Sequence, residues 1–183
     1  MKFTMLFTDF IDVESNPENK ISDLYDDELN RLWVGSNGLH YLDPGSWKFK
    51  SFVNDPKDTT SLALKANGVI VQIDSAECWC GTWNSNFGLE ILDFEASKFY
   101  RGRNWDWKNK DWRIQPKFVN SINKDKYGNL WFVSFRGLYF YNHEQNSFSF
   151  YIDFPIISLT SSCPDNKGNI WLGSYGGDCI NLI

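Results

Sequence analysis

Short runs of alternating apolar and polar residues recur along the chain, separated by turns rich in Asp, Asn and Gly. In the stretch ending at Ile152, Phe148, Phe150 and Ile152 alternate with Ser147, Ser149 and Tyr151. That period of two marks a strand with one buried face. Strands are predicted over Val119 to Lys124, Leu130 to Phe135, Leu138 to Asn142 and Ser147 to Ile152. The first turn between them is Asp125-Lys126-Tyr127-Gly128-Asn129, where Gly128 is free to take a left-handed conformation. His143 to Asn146 turns the chain again. No run longer than about ten residues carries the 3.6-residue period of an amphipathic helix.

The same pattern returns at long intervals. Trp33 stands in Leu-Trp-Val-Gly-Ser, Trp79 in Cys-Trp-Cys-Gly-Thr, Trp131 in Leu-Trp-Phe-Val-Ser and Trp171 in Ile-Trp-Leu-Gly-Ser, at steps of 46, 52 and 40 residues. A second anchor follows each Trp: Gly38-Leu39, Gly88-Leu89, Gly137-Leu138 and Gly177-Asp178. A third follows in Asp43 to Phe49, Asp93 to Phe99 and Asn142 to Phe148. The Asp-led turn recurs as Asp165-Asn166-Lys167-Gly168-Asn169 and as Asp27-Glu28-Leu29-Asn30-Arg31, with Asn30 at the glycine position. Asn also tolerates positive φ. Asp74-Ser75-Ala76-Glu77 is one residue shorter and must turn differently.

Antiparallel strands in fours, repeating every 40–50 residues or so, predict the blades of a β-propeller. The expected fold is all-β, with about four four-stranded antiparallel blades in one domain over 1–183. The units span roughly 18–55, 66–104, 117–153 and 156–183 plus 1–10. Residues 101–116 form a Trp-rich insertion between the second and third units. The recurring Trp suits the wedge between neighbouring sheets. Lys2-Phe3 matches Lys48-Phe49 and Lys98-Phe99, so the chain begins in the phase of an outer strand. Met1 to Asp9 is therefore expected to complete the last blade, which would hide two open edges. The alternative is an open partial propeller completed by oligomerisation.

Composition narrows the function classes. The chain has 183 residues, a formal net charge of −5 and no basic stripe, which argues against nucleic acid or an anionic membrane as main partner. No apolar run approaches the 18 or so residues of a membrane helix, so no membrane insertion by this segment is expected. The N-terminus lacks the apolar core and small-residue cleavage site of a signal peptide. Four Cys are too few for a disulfide scaffold.

The unit pattern of an apolar strand, Asp-x-x-Gly-Asn-Leu-Trp-x-x-Ser, Gly-Leu-x-x-Tyr-Asn and Ser-Phe-x-x-Tyr resembles the two-component regulator propeller repeat. Asp125 to Tyr151 and Asp165 to Gly177 carry it best. Arg31 to Phe52 carries it well, and Gly68 to Tyr100 in degenerate form. The resemblance covers nearly the whole chain except Trp105 to Pro116. It implies a periplasmic sensor region of hybrid two-component histidine kinases, responsive to carbohydrate fragments. This chain would be a fragment or short relative. The implied partners are an oligosaccharide ligand, further copies of the chain, or other repeats of a larger sensor.

Candidate chemistry is sparse. No catalytic motif, cofactor-binding loop or metal cluster stands out, so a non-enzymatic sensor is expected, with a glycan-active enzyme as a lesser alternative. His40 lies on a strand and His143 in a turn, both read as surface or half-buried polar groups. Asp27, Asp74, Asp125 and Asp165 are read as acceptors for backbone N–H groups in the turn. Cys78 and Cys80 flank Trp79 and are read as small buried residues, while Cys163 and Cys179 fall two strands apart. The insertion supplies candidate contacts in Arg103, Trp105, Trp107, Trp112 and Arg113, with Trp83 as a weaker one. Trp beside Arg and Asn suits a pyranose face, a protein partner, or the cover of an open edge. Trp33, Trp79, Trp131 and Trp171 are assigned to blade packing.

Overall fold

The computed structural model describes residues 21–36, 38–63, 68–72, 76–82, 88–101, 116–135, 137–151, 159–177 and 179–182. The described residues form strands and turns without a helix. The first unit holds β1 (Asp23–Asp26), β2 (Leu32–Gly35), β3 (Leu39–Leu42) and β4 (Phe49–Phe52). The second holds β5 (Gly68–Gln72), β6 (Glu77–Thr82), β7 (Leu89–Asp93) and β8 (Lys98–Arg101). The third holds β9 (Val119–Lys124), β10 (Leu130–Ser134), β11 (Gly137–Asn142) and β12 (Ser147–Tyr151). The fourth holds β13 (Leu159–Pro164), β14 (Ile170–Ser174) and β15 (Cys179–Leu182).

Each unit is its own antiparallel sheet, with strands adjacent in sequence paired side by side. This is the blade arrangement of a β-propeller, and no described sheet closes on itself. The fourth blade has three described strands rather than four. Met1 to Asp9, expected to supply the other, lies outside the described residues, as do 102–115 and 83–87. Strand register also corrects one anchor. Cys179, not Asp178, stands opposite Gly173, in the place that Leu39 holds opposite Gly35.

The turns explain why the hairpins form where they do. Asn30, Gly128 and Gly168 all have positive φ, at 56°, 83° and 99°. An αL residue there lets Asp27, Asp125 and Asp165 fold the chain back over five residues. The β3–β4 type of turn likewise carries an αL residue, which is Trp47, Ser97 or Asn146.

Blades meet through apolar seams. Trp33, Leu62, Cys78, Cys80, Leu92 and Phe99 fill the seam between the first and second blades. Trp79, Ile122, Leu130, Phe132, Tyr141 and Phe148 fill the next. Val133, Leu138, Leu159, Ile170 and Leu172 fill the third, with Trp131 partly buried beside them. Each large side chain buried in this way contributes about 1.5–3 kcal/mol. The glycine anchor has a steric reason. A Cβ on Gly88 would sit 2.2 Å from the Pro116 carbonyl oxygen, so only glycine lets the third blade approach.

Candidate functional site

The turn carboxylates do more than cap backbone. Asp27 Oδ1 accepts the N–H groups of Leu29 and Arg31 at 2.9 Å each. Its Oδ2 accepts the Trp33 indole N–H at 2.7 Å and Arg31 Nε at 2.5 Å. Asp125 and Asp165 repeat the arrangement: each accepts the indole N–H of the Trp six residues on, at 3.1 Å. In the second unit Glu77 takes this role for Trp79 at 3.0 Å. The carboxylate therefore pins the ring that fills the wedge. Burial alone would raise the Asp27 pKa, but the Arg31 N–H, the indole and the guanidinium outweigh it and hold it below the usual range. Asp165 is also held low, its Asn169 side-chain amide bond outweighing desolvation.

The four tryptophans differ in burial. Trp33 and Trp79 are fully buried, and Trp131 is partly buried. Trp171 remains 41% exposed, a departure from the packing role expected in every unit. Ser161, Cys163, Cys179 and Asn181 share its open face.

Three inner strands converge on a cleft of ≈ 580 Å³. Its walls come from Ser22 to Tyr25 at β1, Asn120 to Lys124 on β9 and Thr160 to Ser162 on β13. Its floor is hydrogen-bonded. Asn120 Nδ2 donates to the Leu159 carbonyl at 2.8 Å, and Asn123 Nδ2 to the Ser162 carbonyl at 2.7 Å. The Ser121 and Ser162 hydroxyls lie 3.2 Å apart. Lys124 at the rim pairs with Glu28 at 3.0 Å, joining the third blade to the first. The volume lies in the small-molecule range, and hydroxyl and amide groups outnumber charges, which suits a neutral polar ligand.

Sequence reading did not single out this cleft. Its signal was the polar character of Asn120-Ser121-Ile122-Asn123 and Thr160-Ser161-Ser162 on inner strands, where outer strands are aromatic. Arg103, Trp105, Trp107, Trp112, Arg113 and Trp83, the residues it did single out, lie outside the described residues.

Two further polar clusters are structural. His40 is buried, not at the surface, with Nδ1 2.8 Å from Ser51 Oγ and Nε2 3.1 Å from Ser36 Oγ. Burial lowers its pKa. Glu90 is fully buried and pairs with Arg101 at 2.7 Å, while accepting the Ala63 N–H at 2.9 Å. Arg101 also donates to the carbonyls of Ser61 and Thr59. Together they clamp the inter-blade connection onto the second blade. Burial raises the Glu90 pKa against the opposing pull of Arg101. Cys78 and Cys80 are buried, and Cys163 and Cys179 are free and exposed on β13 and β15. Among the described residues no group of His, Cys, Asp and Glu is arranged to hold a metal.

Blades, pinned tryptophans and a polar axial cleft can be compared with known proteins. Residues 15–38 match the two-component regulator propeller model. The match falls on the first unit, not on the third and fourth where the repeat pattern reads most fully. A search of curated proteins finds no match. Among solved structures, the extracellular domain of BT3049, titled as that of a hybrid two component system of B. thetaiotaomicron, superposes with a TM-score of 0.65 at 19% identity. It covers 92% of this chain and 23% of its own. That of BT4673 from the same organism gives 0.63 at 20%, covering 93% and 22%. Streptogramin B lyase gives 0.62 at 13%, covering 92% and 56%. At these identities the likeness shows the propeller fold, and the chain spans about a quarter of the two extracellular domains.

Proposed function

We propose that the chain is a non-enzymatic, ligand-binding part of an extracytoplasmic sensor, periplasmic in location, that answers a carbohydrate fragment through a two-component system. One observation carries the reading: a propeller-repeat match at the first blade coincides with a polar cleft whose wall that blade helps to build. Sugars bring many hydroxyls and little charge, and the cleft offers hydroxyls and amide groups with one carboxylate, Asp23, and one Lys, Lys124. Arg103, Trp105, Trp107, Trp112, Arg113 and Trp83 are proposed as further contacts, stacking on sugar faces.

Calorimetric titration with a panel of neutral and acidic oligosaccharides tests this. Binding is expected for at least one glycan class. Absence of binding across the panel by a folded chain would overturn the reading. A second reading, an interaction scaffold, is favoured by the open Trp171 face. Light scattering behind size exclusion separates the two, since a scaffold is expected to exceed the 21.3 kDa monomer.

A further inference from the structure

Strand register brings the cleft and one set of turns to the same end of the blades. Asp23 pairs with Gly35, Val119 with Ser134 and Leu159 with Ser174. The N-terminal ends of β1, β9 and β13 therefore lie beside the turns that follow β2, β10 and β14. Those strand ends, at Ser22, Asn120 and Thr160, form one end of the polar cleft.

Two aromatic residues stand on these turns. Phe135 follows Ser134 and is 57% exposed, and Tyr175 follows Ser174 and is 78% exposed. They hold the same place in consecutive blades. Each turn is built to keep its shape. The Phe135 N–H donates to the Phe118 carbonyl at 3.2 Å, two residues before Asn120, and the Ser134 hydroxyl donates to the Lys117 carbonyl. Beside Tyr175, Gly176 and Gly177 both have positive φ, at 125° and 98°, a path that glycine takes without strain. Asn120 Nδ2 in turn donates to the carbonyl of Leu159, the strand partner of Ser174. The cleft wall thus ties the two turns together. Exposed rings scattered singly are ordinary. These two share one repeat position, on two blades whose inner strands wall the cleft.

We infer, on the carbohydrate reading of the cleft, that Phe135 and Tyr175 form a stacking rim at its mouth for an oligosaccharide longer than the cleft itself. The chemistry divides as a sugar does. The C–H face of a pyranose suits an aromatic ring, and its hydroxyls suit the amide of Asn120 and the hydroxyl of Thr160 at the strand ends. Neighbouring sheets pack about 10 Å apart, wider than one pyranose ring, so touching both turns takes a chain of linked sugars.

Titration calorimetry on the unaltered chain, Phe135→Ala and Tyr175→Ala tests the rim. The probes are neutral gluco- and manno-oligosaccharides and acidic galacturono-oligosaccharides, each of four units. Each alanine is expected to weaken the binding glycan about tenfold. Phe135→Tyr and Tyr175→Phe keep a ring and are expected to keep the affinity. Both positions are exposed, so urea midpoints are expected to stay unchanged, and either alanine variant alone decides if the other fails to fold. Binding by the unaltered chain that is equally tight in a folded alanine variant overturns the rim and leaves the cleft reading standing. An equal loss in the ring-keeping variants also overturns it. Unchanged glycan affinity with a fall in solution mass would overturn it in favour of contact with a second chain. No binding of any probe by the folded, unaltered chain overturns the cleft reading, and the rim falls with it.

Discussion

Asp27→Asn replaces one oxygen by an amide nitrogen and leaves shape almost unchanged. The amide oxygen can still accept the Leu29 and Arg31 N–H groups. The amide nitrogen must then face the Trp33 indole N–H and Arg31 Nε, and donors meet a donor. Two charge-assisted bonds are lost, at about 1.5–3 kcal/mol each. The Arg31 guanidinium keeps its stacking on Trp33, Tyr41 and Phe94 but loses its buried counter-charge. Its Nη2 already has no hydrogen-bond partner among the described residues. The expected loss is about 3–5 kcal/mol, a large share of the roughly 5–15 kcal/mol of a typical domain. Urea unfolding followed by tryptophan fluorescence measures it: with m near 2 kcal/mol/M, the midpoint should fall by about 2 M. Asp165→Asn makes the same chemical change beside an exposed Trp171 and is expected to cost clearly less. Equal losses, or an Asp27→Asn loss under about 1 kcal/mol, would refute the idea that buried carboxylates pin the wedge.

Other outcomes follow from the same geometry. Trp79→Ala should cost about 3–5 kcal/mol in the same assay, because the ring is fully buried, and Trp171→Ala far less. Trp47 is 67% exposed with φ of 55°, where the third unit has Asn146, so Trp47→Asn should raise stability by about 1 kcal/mol, read as a higher melting temperature. Neutral His40 is favoured in the folded state, whereas the unfolded chain takes up a proton near pH 6.5. Stability from His40 is thus full above pH 6.5 and is lost as pH falls below it. Glu90 acts oppositely: its raised pKa makes acid relieve the burial of its charge in the range just above 4.5. Comparing His40→Gln with the unaltered chain isolates the first effect, and the variant's stability should decline less between pH 7 and 5.

The repeat made the blades legible. Strand alternation places Val119 to Lys124 and Ser147 to Ile152, and β9 and β12 lie at Val119–Lys124 and Ser147–Tyr151. Asn30 at the glycine position does take positive φ. What sequence could not convey was pairing at a distance. Nothing in the order of residues tells that Asp27 reaches the indole of Trp33 besides its own backbone, because the two meet only when β1 and β2 twist together. Nothing in the sequence singles out Glu90 and Arg101, yet both serve a clamp on the connection at 59–63. His40 read as a surface or half-buried group because period two does not say which blade covers a face. The cleft was illegible for a related reason: its walls come from three units far apart in the chain.

Every described strand bonds only to strands adjacent in sequence, so the ladders need no distant partner to form. Such local pairing favours rapid folding. During synthesis each blade can close as it leaves the ribosome, but its Trp-bearing face must wait for the next unit. At about 5–20 residues per second, a unit of some 45 residues leaves that face wet for roughly 2–10 s. Trp33 and Trp79 pass through this interval and are then covered. Trp171, with no described blade against its face, keeps the exposure that the earlier rings lose, and a following unit would be expected to cover it as the second and third cover Trp33 and Trp79.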